Sequence, residues 1–222
     1  SMKELFGTDG IRGRADEFPL DGKTVEVIGR SLARQFGQGL LRPAKFVIGR
    51  DTRESGESIE RAFCAGAASG GAECVSAGVI TTPGVAFLTR VEGFDAGIVI
   101  SASHNPFHDN GIKVFLPSGK KIEEAIERET ERDIYSSNDE DPSPAPHTSV
   151  PFASNFVEDY IAHLTNAVAG LTAVGTRIVL DCANGAASAI APRVFGMLGA
   201  EVIPIHNEPN GRNINEHCGS LH

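Results

Sequence analysis

Apolar residues recur at steps of three and four positions along several stretches of the chain, and this spacing predicts amphipathic helices. The first predicted helix runs from about Val25 to Leu40. The second begins near Ile59 and ends at Gly70 and Gly71, where glycine favours a helix stop. A short third helix follows a turn at Pro83, and the charged segment 120–135 predicts a fourth. The apolar positions of the first three predicted helices are Val25, Ile28, Leu32, Phe36 and Leu40; Ile59, Phe63 and Ala67; and Val85 and Leu88.

Short apolar runs alternate with these helices, and they have the length and composition of β-strands. The runs read KFVIG, AECVSA, AGIVIS and IKVF. Because some of them are apolar throughout, helices must cover both faces of the predicted sheet. The pattern therefore predicts an α/β fold with a mixed, largely parallel sheet sandwiched between helices.

Residues 136–150 interrupt this pattern with prolines and polar side chains, so they predict a linker. Beyond it, a helix near 153–170 and two strands separated by another helix predict a second α/β unit. Two strands and two helices are few for an independent α/β domain, which favours a truncated unit of the same type. We therefore predict a first domain over 1–150, including the linker, and an incomplete second domain over 151–222.

The charge and the cysteines narrow the possible functions. A formal net charge of −9 argues against a general nucleic-acid or membrane-surface binder, because such proteins carry a basic face. No apolar run has the length of a membrane span, and the N-terminus lacks the apolar stretch of a signal peptide, so a cytoplasmic protein is predicted. The four cysteines are spaced too widely for CxxC metal pairs and are interpreted as reduced core residues: Cys64, Cys74, Cys182 and Cys218.

Common catalytic motifs are missing from the chain. The dinucleotide pattern GxGxxG does not occur, and a P-loop ending at GKT would need glycine where Glu17 stands. Neither a GxSxG nucleophile elbow nor an HExxH zinc motif occurs, and His104 with His108 alone makes a weak metal pair.

The segment ISASHNPFHDNGIKVF places many reactive side chains in one loop between two apolar runs. In α/β sheets, ligands bind near the carboxyl ends of strands, where this loop begins. Ser103 offers a hydroxyl that can act as a nucleophile, and Lys113 offers positive charge or a proton. Asn105 and Pro106 favour a turn that exposes Ser103 and His104. On spacing alone, a polar turn whose side chains bond their own backbone remains the simpler interpretation.

Two further segments favour an anion pocket over a plain turn. FGTDGIRGRA places three glycines around Arg12 and Arg14, so that backbone and guanidinium groups can approach an anion together. VIGRDTR places Arg50 and Arg53 directly after a predicted strand, at the same expected edge of the sheet. Phosphoryl transfer requires mainly positioning and positive charge, usually with a metal ion.

These segments resemble the first domain of the α-D-phosphohexomutases. The likeness is carried by GTDGIRG, VIGRDTR and above all ISASHNPFHDNGIKVF, and LDCANGA and EPNGRNINEHCGS resemble the second domain of that superfamily. The residues of these motifs most resemble those of the bacterial branch that interconverts glucosamine 6-phosphate and glucosamine 1-phosphate. The resemblance covers essentially the whole chain and is least distinctive in the linker.

The resemblance implies a role for each matching residue. It makes Ser103 the phosphoserine that exchanges a phosphoryl group with the sugar through a bisphosphate intermediate. It implies that Arg12 flanks the phosphoserine, and that Lys113 and His104 assist proton transfer. The remaining residues predicted to bind substrate or phosphate are Asn105, Arg50 and Arg53. It further implies Mg²⁺ bound through the Ser103 phosphate, a sugar bisphosphate such as glucosamine 1,6-bisphosphate as activator, a sugar-phosphate substrate, and a possible homodimer formed by the first domain.

The chain also departs from that superfamily. Its members have four domains, whereas no aspartate-rich DxDxD metal loop occurs in this sequence, and the parts that recognise the sugar and its distal phosphate are missing. We therefore expect little or no mutase activity from this polypeptide alone. The alternatives are a phosphomannomutase or phosphoglucomutase of the same superfamily, and a module that only binds a sugar phosphate.

Overall fold

The structure is a computed structural model, and it describes residues 2–138 and 149–222. Most of the predicted linker therefore lies outside the described residues. The helices are α1 (Gly22–Gly37), α2 (Gly56–Ser69), α3 (Thr82–Val91), α4 (Glu124–Ser136), α5 (Phe156–Ala167) and α6 (Ala191–Met197). The strands are β1 (Phe6–Gly7), β2 (Gly10–Arg14), β3 (Lys45–Arg50), β4 (Glu73–Val79), β5 (Ala96–Ile100), β6 (Asp109–Phe115), β7 (Arg177–Asp181) and β8 (Glu201–Ile205).

Six strands form one mixed sheet in the order β1-β2-β6-β5-β3-β4. The pairs β5–β3 and β3–β4 are parallel, whereas β1–β2, β2–β6 and β6–β5 are antiparallel. The predicted mixed α/β sheet is confirmed, and its antiparallel part is larger than predicted. The reason is the β1–β2 hairpin, which the helix-and-strand pattern did not reveal because its glycines provide no apolar alternation.

Helices cover both faces of this sheet, and side chains of a strand alternate between two cores. Phe46 and Ile48 of β3 pack with α1, α2 and α4, whereas Val47 between them packs with α3 and α5. In β5, Ile98 and Ile100 face the first core and Val99 faces the second. Burial on both sides explains why the strand β5 is apolar at every position.

The helices α1 and α2 cross at very close range because glycine lies at the contact. A Cβ atom on Gly66 would stand 1.9 Å from the carbonyl oxygen of Glu26, and one on Gly29 would stand 2.2 Å from that of Phe63. Asp21 caps the N-terminus of α1, because its side chain accepts a hydrogen bond from the backbone N–H of Thr24. The helix ends at Gly37, so the predicted continuation to Leu40 is wrong.

The second unit is a small β-α-β arrangement in which β7 and β8 pair in parallel. The helix α5, which precedes it, packs on the first unit, and its Phe156 and Tyr160 join the core formed by Val47 and α3. Ile190, which lies just before α6 in the second unit, joins the same core, so the two units share apolar contacts. The division near residue 150 stays a prediction.

Candidate active site

Ser103 lies at the exposed tip of the loop that follows β5, and its backbone conformation is unusual. Its φ of 53° falls in the left-handed region, which residues other than glycine seldom adopt. The Ser103 N–H donates to the hydroxyl oxygen of Ser101 at 3.0 Å, and that hydroxyl donates to Asp51 at 2.7 Å. The loop is therefore bonded to the loop that follows β3, as expected for carboxyl ends of neighbouring parallel strands.

Arg53 is buried beneath the Ser103 loop, with 2% of its surface exposed. Its guanidinium donates to the carbonyl oxygens of Ser103 (2.9 Å), Asn105 (3.0 Å) and Pro106 (2.5 Å), and its Nε donates to Asp51 at 3.1 Å. Burial lowers the pKa of Arg53, and the adjacent Asp51 carboxylate opposes that effect. The predicted role of Arg53 in phosphate binding does not fit this placement, because its donors are used on the protein itself.

Arg50, unlike Arg53, makes its side-chain contacts away from the Ser103 loop. Its guanidinium pairs with Glu60 at 2.9 Å, and the Glu60 carboxylate accepts a hydrogen bond from Ser76 at 2.5 Å. Burial raises the pKa of Glu60, while Ser76 and Arg50 oppose the shift. These side chains line a separate cleft together with Phe152. The prediction that Arg50 contacts phosphate in the same pocket is not supported by this arrangement.

Arg12 and Lys113 place two cations on one face of the sheet. Arg12 of β2 pairs with Gly111 of β6, and Lys113 lies two residues further along β6 on the same face. A Cβ atom on Gly111 would stand 3.0 Å from Arg12 Cγ and 2.7 Å from the carbonyl oxygen of Ser101. Glycine at this position therefore lets the Arg12 side chain lie against the start of the Ser103 loop.

The electrostatics of this face favour an anion. Burial lowers the pKa of Lys113, the positive charge of Arg12 lowers it further, and Asp9 opposes both effects. The charge of Arg12 also contributes to the lowered pKa of Arg53. Arg12 Nε is shielded from solvent and meets no hydrogen-bond partner within the described residues. A bound phosphate group would relieve the repulsion among these cations, which the carboxylate of Asp9, 3.9 Å from Arg12 Nη1, also opposes.

The side chains of the other predicted loop residues differ in exposure: one faces solvent and one bonds within the loop. His104 is exposed and, with Ser103, lines a cleft of about 610 Å³ between the two units. The Asn105 side chain instead turns to Asp109, with its amide nitrogen 3.3 Å from the carboxylate. Of the residues predicted to act on a substrate, Ser103 and His104 face the cleft, while Asn105 is engaged inside its own loop.

The second unit supplies the opposite wall of the cleft, with Asp181 and Asn215 among its residues. Asn215 donates to the carbonyl oxygens of Ser103 at 2.8 Å and Asn105 at 3.1 Å. Sequence analysis did not single out Asn215, since a hydrogen bond between residues more than a hundred positions apart leaves no local pattern. The sequence signal that could have indicated Asn215 is the polar motif EPNGRNINEHCGS, which contains it and which was noted only for its resemblance to the superfamily.

Possible metal ligands in the described residues do not form an evident Mg²⁺ site. Within the described residues, one group of three possible ligands converges, comprising Asp181, His206 and Cys218, whose ligand atoms lie within 4.8 Å of one another. Mg²⁺ prefers oxygen ligands in octahedral geometry, so imidazole and thiol donors do not suit it. The expected binding of Mg²⁺ through a phosphate on Ser103 stays a prediction.

Comparison with known proteins identifies the family. Residues 3–141 match the family model described as phosphoglucomutase/phosphomannomutase, alpha/beta/alpha domain I. The chain belongs to the phosphoglucomutase/phosphomannomutase family. It is 48% identical over 228 residues to a phosphoglucosamine mutase of Koribacter versatilis, with 100% of this chain and 48% of that protein covered. The chain thus spans about half the length of the curated relatives that it matches.

Solved structures of the phosphoglucomutase/phosphomannomutase family have the same fold. A family protein from Burkholderia thailandensis matches with a TM-score of 0.76 and 26% identity, over 94% of this chain and 45% of the other. An N-acetylphosphoglucosamine mutase of Aspergillus fumigatus, solved with GlcNAc-6P and magnesium, matches with a TM-score of 0.54 and 15% identity, over 97% and 43%. The second likeness supports the fold alone. In the present chain, the helices of the described residues are too short or too polar to span a bilayer.

Proposed function

We propose that Ser103 is the phosphoryl-carrying nucleophile of a phosphoglucosamine mutase reaction. The single observation that carries the proposal is an exposed serine hydroxyl on a loop that Ser101 and Arg53 anchor and whose start, at the Ser101 carbonyl, lies close to Arg12. The phosphoglucosamine mutase of Koribacter versatilis, 48% identical, supports the choice of glucosamine phosphates among the hexose phosphates. Because this chain spans about half of that relative, the proposal concerns the role of Ser103 within the whole enzyme.

In the proposed reaction, the C1 hydroxyl of glucosamine 6-phosphate attacks the phosphorus of phospho-Ser103. The new C1 O–P bond forms as the serine O–P bond breaks. The proton of the C1 hydroxyl passes through a nearby acid–base side chain to the Ser103 oxygen, which leaves as a hydroxyl. The bisphosphate then turns over, and Ser103 attacks its C6 phosphate. This second transfer restores phospho-Ser103 and releases glucosamine 1-phosphate, which leaves no net change in the number of phosphoryl groups.

The residues around Ser103 divide this work. Arg12 stabilises the transferring phosphoryl group through its positive charge, which also acts on Arg53 beneath the Ser103 loop. Lys113 and His104 are the candidates for proton transfer, because burial and the charge of Arg12 lower the pKa of Lys113 and His104 faces the cleft. Mg²⁺ bound to the phosphoserine would withdraw charge from the transferring group. A cytoplasmic location and a homodimer formed by the first unit are further expectations from the family.

The test is phosphorylation of purified protein by glucosamine 1,6-bisphosphate, followed by intact mass and peptide mapping. We expect one phosphoryl group, mapped to Ser103, and none in Ser103→Ala. The control is Ser118→Ala, since Ser118 lies in an exposed turn and bonds only to the nearby Lys120 N–H. An adduct that persists in Ser103→Ala, or failure to phosphorylate a longer chain that includes the remaining half, would refute the proposal.

The phosphomannomutase or phosphoglucomutase alternative is favoured by the name of the Burkholderia thailandensis neighbour. The test is to measure, by intact mass, which sugar phosphate removes the phosphoryl group from phospho-Ser103 fastest. Faster discharge by mannose 6-phosphate or glucose 6-phosphate than by glucosamine 6-phosphate would favour that alternative. Binding of sugar phosphate without any phosphorylation of Ser103 would favour a binding module.

A further inference from the structure

Two carbonyl groups of the Ser103 loop each accept hydrogen bonds from both units of the molecule. The Ser103 carbonyl accepts from Arg53 at 2.9 Å and from Asn215 at 2.8 Å. The Asn105 carbonyl accepts from the same two side chains, at 3.0 and 3.1 Å. A carbonyl oxygen has two lone pairs, so these two acceptors are fully used.

This double bonding determines the direction in which the Ser103 side chain leaves the backbone. The peptide group before Ser103 is held through its N–H by Ser101, and the peptide group after it is held through its carbonyl by Arg53 and Asn215. When both flanking peptide planes are held, φ and ψ of Ser103 are set, and the direction of the Cα–Cβ bond follows. The left-handed φ of 53° is strained for serine and persists only if its surroundings impose it.

We propose that Asn215 is a positioning residue, which holds the Ser103 loop in its reactive geometry from the second unit. The catalytic part of this inference rests on the proposed function of Ser103. Arg53 holds the same loop from the first unit, so Asn215 makes the geometry of the nucleophile depend on the docking of the second unit.

Asn215 can hold the loop because the second unit holds Asn215. Its backbone N–H donates to the carbonyl of Ala183 at 2.9 Å, and its φ of 59° is one that asparagine tolerates. The segment is further joined to the first unit by the ion pair of Arg212 with Glu54 at 2.9 Å. The Glu54 N–H also donates to the carbonyl of Gly211 at 3.0 Å. These bonds give the Asn215 amide a defined position over the loop.

The test compares Asn215→Gly with the control Asn213→Ala in the 222-residue chain. Glycine keeps the left-handed backbone and removes only the side chain. Asn213 lies in the same segment, but its side chain bonds to Glu208 and Asn210 of that segment. Asn215→Asp adds a variant of the same shape that cannot donate.

Amide hydrogen exchange by NMR reports the holding of the loop. We expect exchange of the Ser103 and Asn105 amides to rise about tenfold in Asn215→Gly and in Asn215→Asp. The Val85 amide in α3 serves as the internal reference and should not change. If exchange in either Asn215 variant matches that in Asn213→Ala, or if Asn215→Asp behaves as the unmodified chain, Asn215 does not hold the loop through its donor.

The rate of Ser103 phosphorylation by glucosamine 1,6-bisphosphate reports the catalytic consequence. We expect the maximal rate to fall about tenfold in Asn215→Gly while the half-saturating donor concentration stays within about twofold. Equal maximal rates in Asn215→Gly and Asn213→Ala would overturn the positioning role. If the unmodified chain is not phosphorylated, the proposed function of Ser103 fails in this chain, and the exchange comparison still decides whether Asn215 holds the loop.

Discussion

Replacing Arg53 with methionine is expected to remove about 3–5 kcal/mol from the free energy of unfolding. The Arg53 side chain is fully buried and is paired with the buried carboxylate of Asp51 at 3.1 Å. Methionine has a similar length but no charge, so Asp51 would lose its countercharge in a place with little solvent. The carbonyls of Ser103, Asn105 and Pro106 would also lose their charged donor.

The hydrogen bonds alone would suggest a larger loss, because bonds to a charged donor contribute about 1.5–3 kcal/mol each. The carbonyls of the loop lie near its exposed tip, however, so that water can replace Arg53 at some of them after a small movement. The ion pair therefore sets the scale of the effect. Asp51 keeps two other donors, the Arg53 backbone N–H and the Ser101 hydroxyl, which limits the loss.

The assay is urea denaturation followed by far-UV circular dichroism, since the chain contains no tryptophan. The matched control is Arg61→Met, which removes an exposed pair with Glu57 and should cost less than about 1 kcal/mol. Adding Asp51→Asn to Arg53→Met should recover part of the loss, because the uncompensated charge is then removed as well. Arg53→Lys provides a milder variant if Arg53→Met does not fold.

Two results would refute this reasoning. If Arg53→Met and Arg61→Met were equally stable, Arg53 would not support the loop as its bonds indicate. If Asp51→Asn added its full cost on top of Arg53→Met, the two side chains would act independently, and the buried pair would not be the source of the loss.

Two other predictions concern the sheet face and the helix crossing. Lys113→Met should raise the free energy of unfolding by up to about 1 kcal/mol at pH 7, because it removes a partly buried charge that Arg12 repels. Since folding lowers the pKa of Lys113, this gain should shrink as the pH rises through the lowered pKa towards the ordinary lysine value of 10.5, above which the amine is neutral in both states. A gain that is unchanged at high pH would contradict this reasoning. Gly66→Ala should cost more than about 3 kcal/mol in urea denaturation, because its Cβ would stand 1.9 Å from the Glu26 carbonyl oxygen. Gly37→Ala, which meets nothing within 4 Å, should be neutral or stabilising, and equal effects of the two substitutions would contradict the close crossing.

Several features escaped prediction for physical reasons that particular residues show. The strand β2 contains two glycines and a single buried apolar residue, Ile11, so it carries no alternation. Its existence depends on pairing with β6, which is nearly a hundred residues away in the chain. That pairing turns Arg12 from a loop residue into a strand residue and places it beside Lys113. Its antiparallel direction also explains the larger antiparallel share of the sheet.

The sequence by itself determined the elements whose patterns are local. The helices α1 and α2 show apolar spacing because one face of each is buried, and β5 is apolar throughout because both of its faces are buried. The polar loop that holds Ser103 was visible in the sequence because it lies between two apolar runs. Only the tertiary structure decided which polar groups meet. Arg50 and Arg53 stand three positions apart, yet Arg50 pairs with Glu60 while Arg53 turns beneath the Ser103 loop, and Asn215 reaches that loop from the second unit. The spacing of apolar residues predicts burial because side chains of a helix or strand return to the same face at a fixed interval. A hydrogen bond between distant side chains depends instead on how whole elements pack.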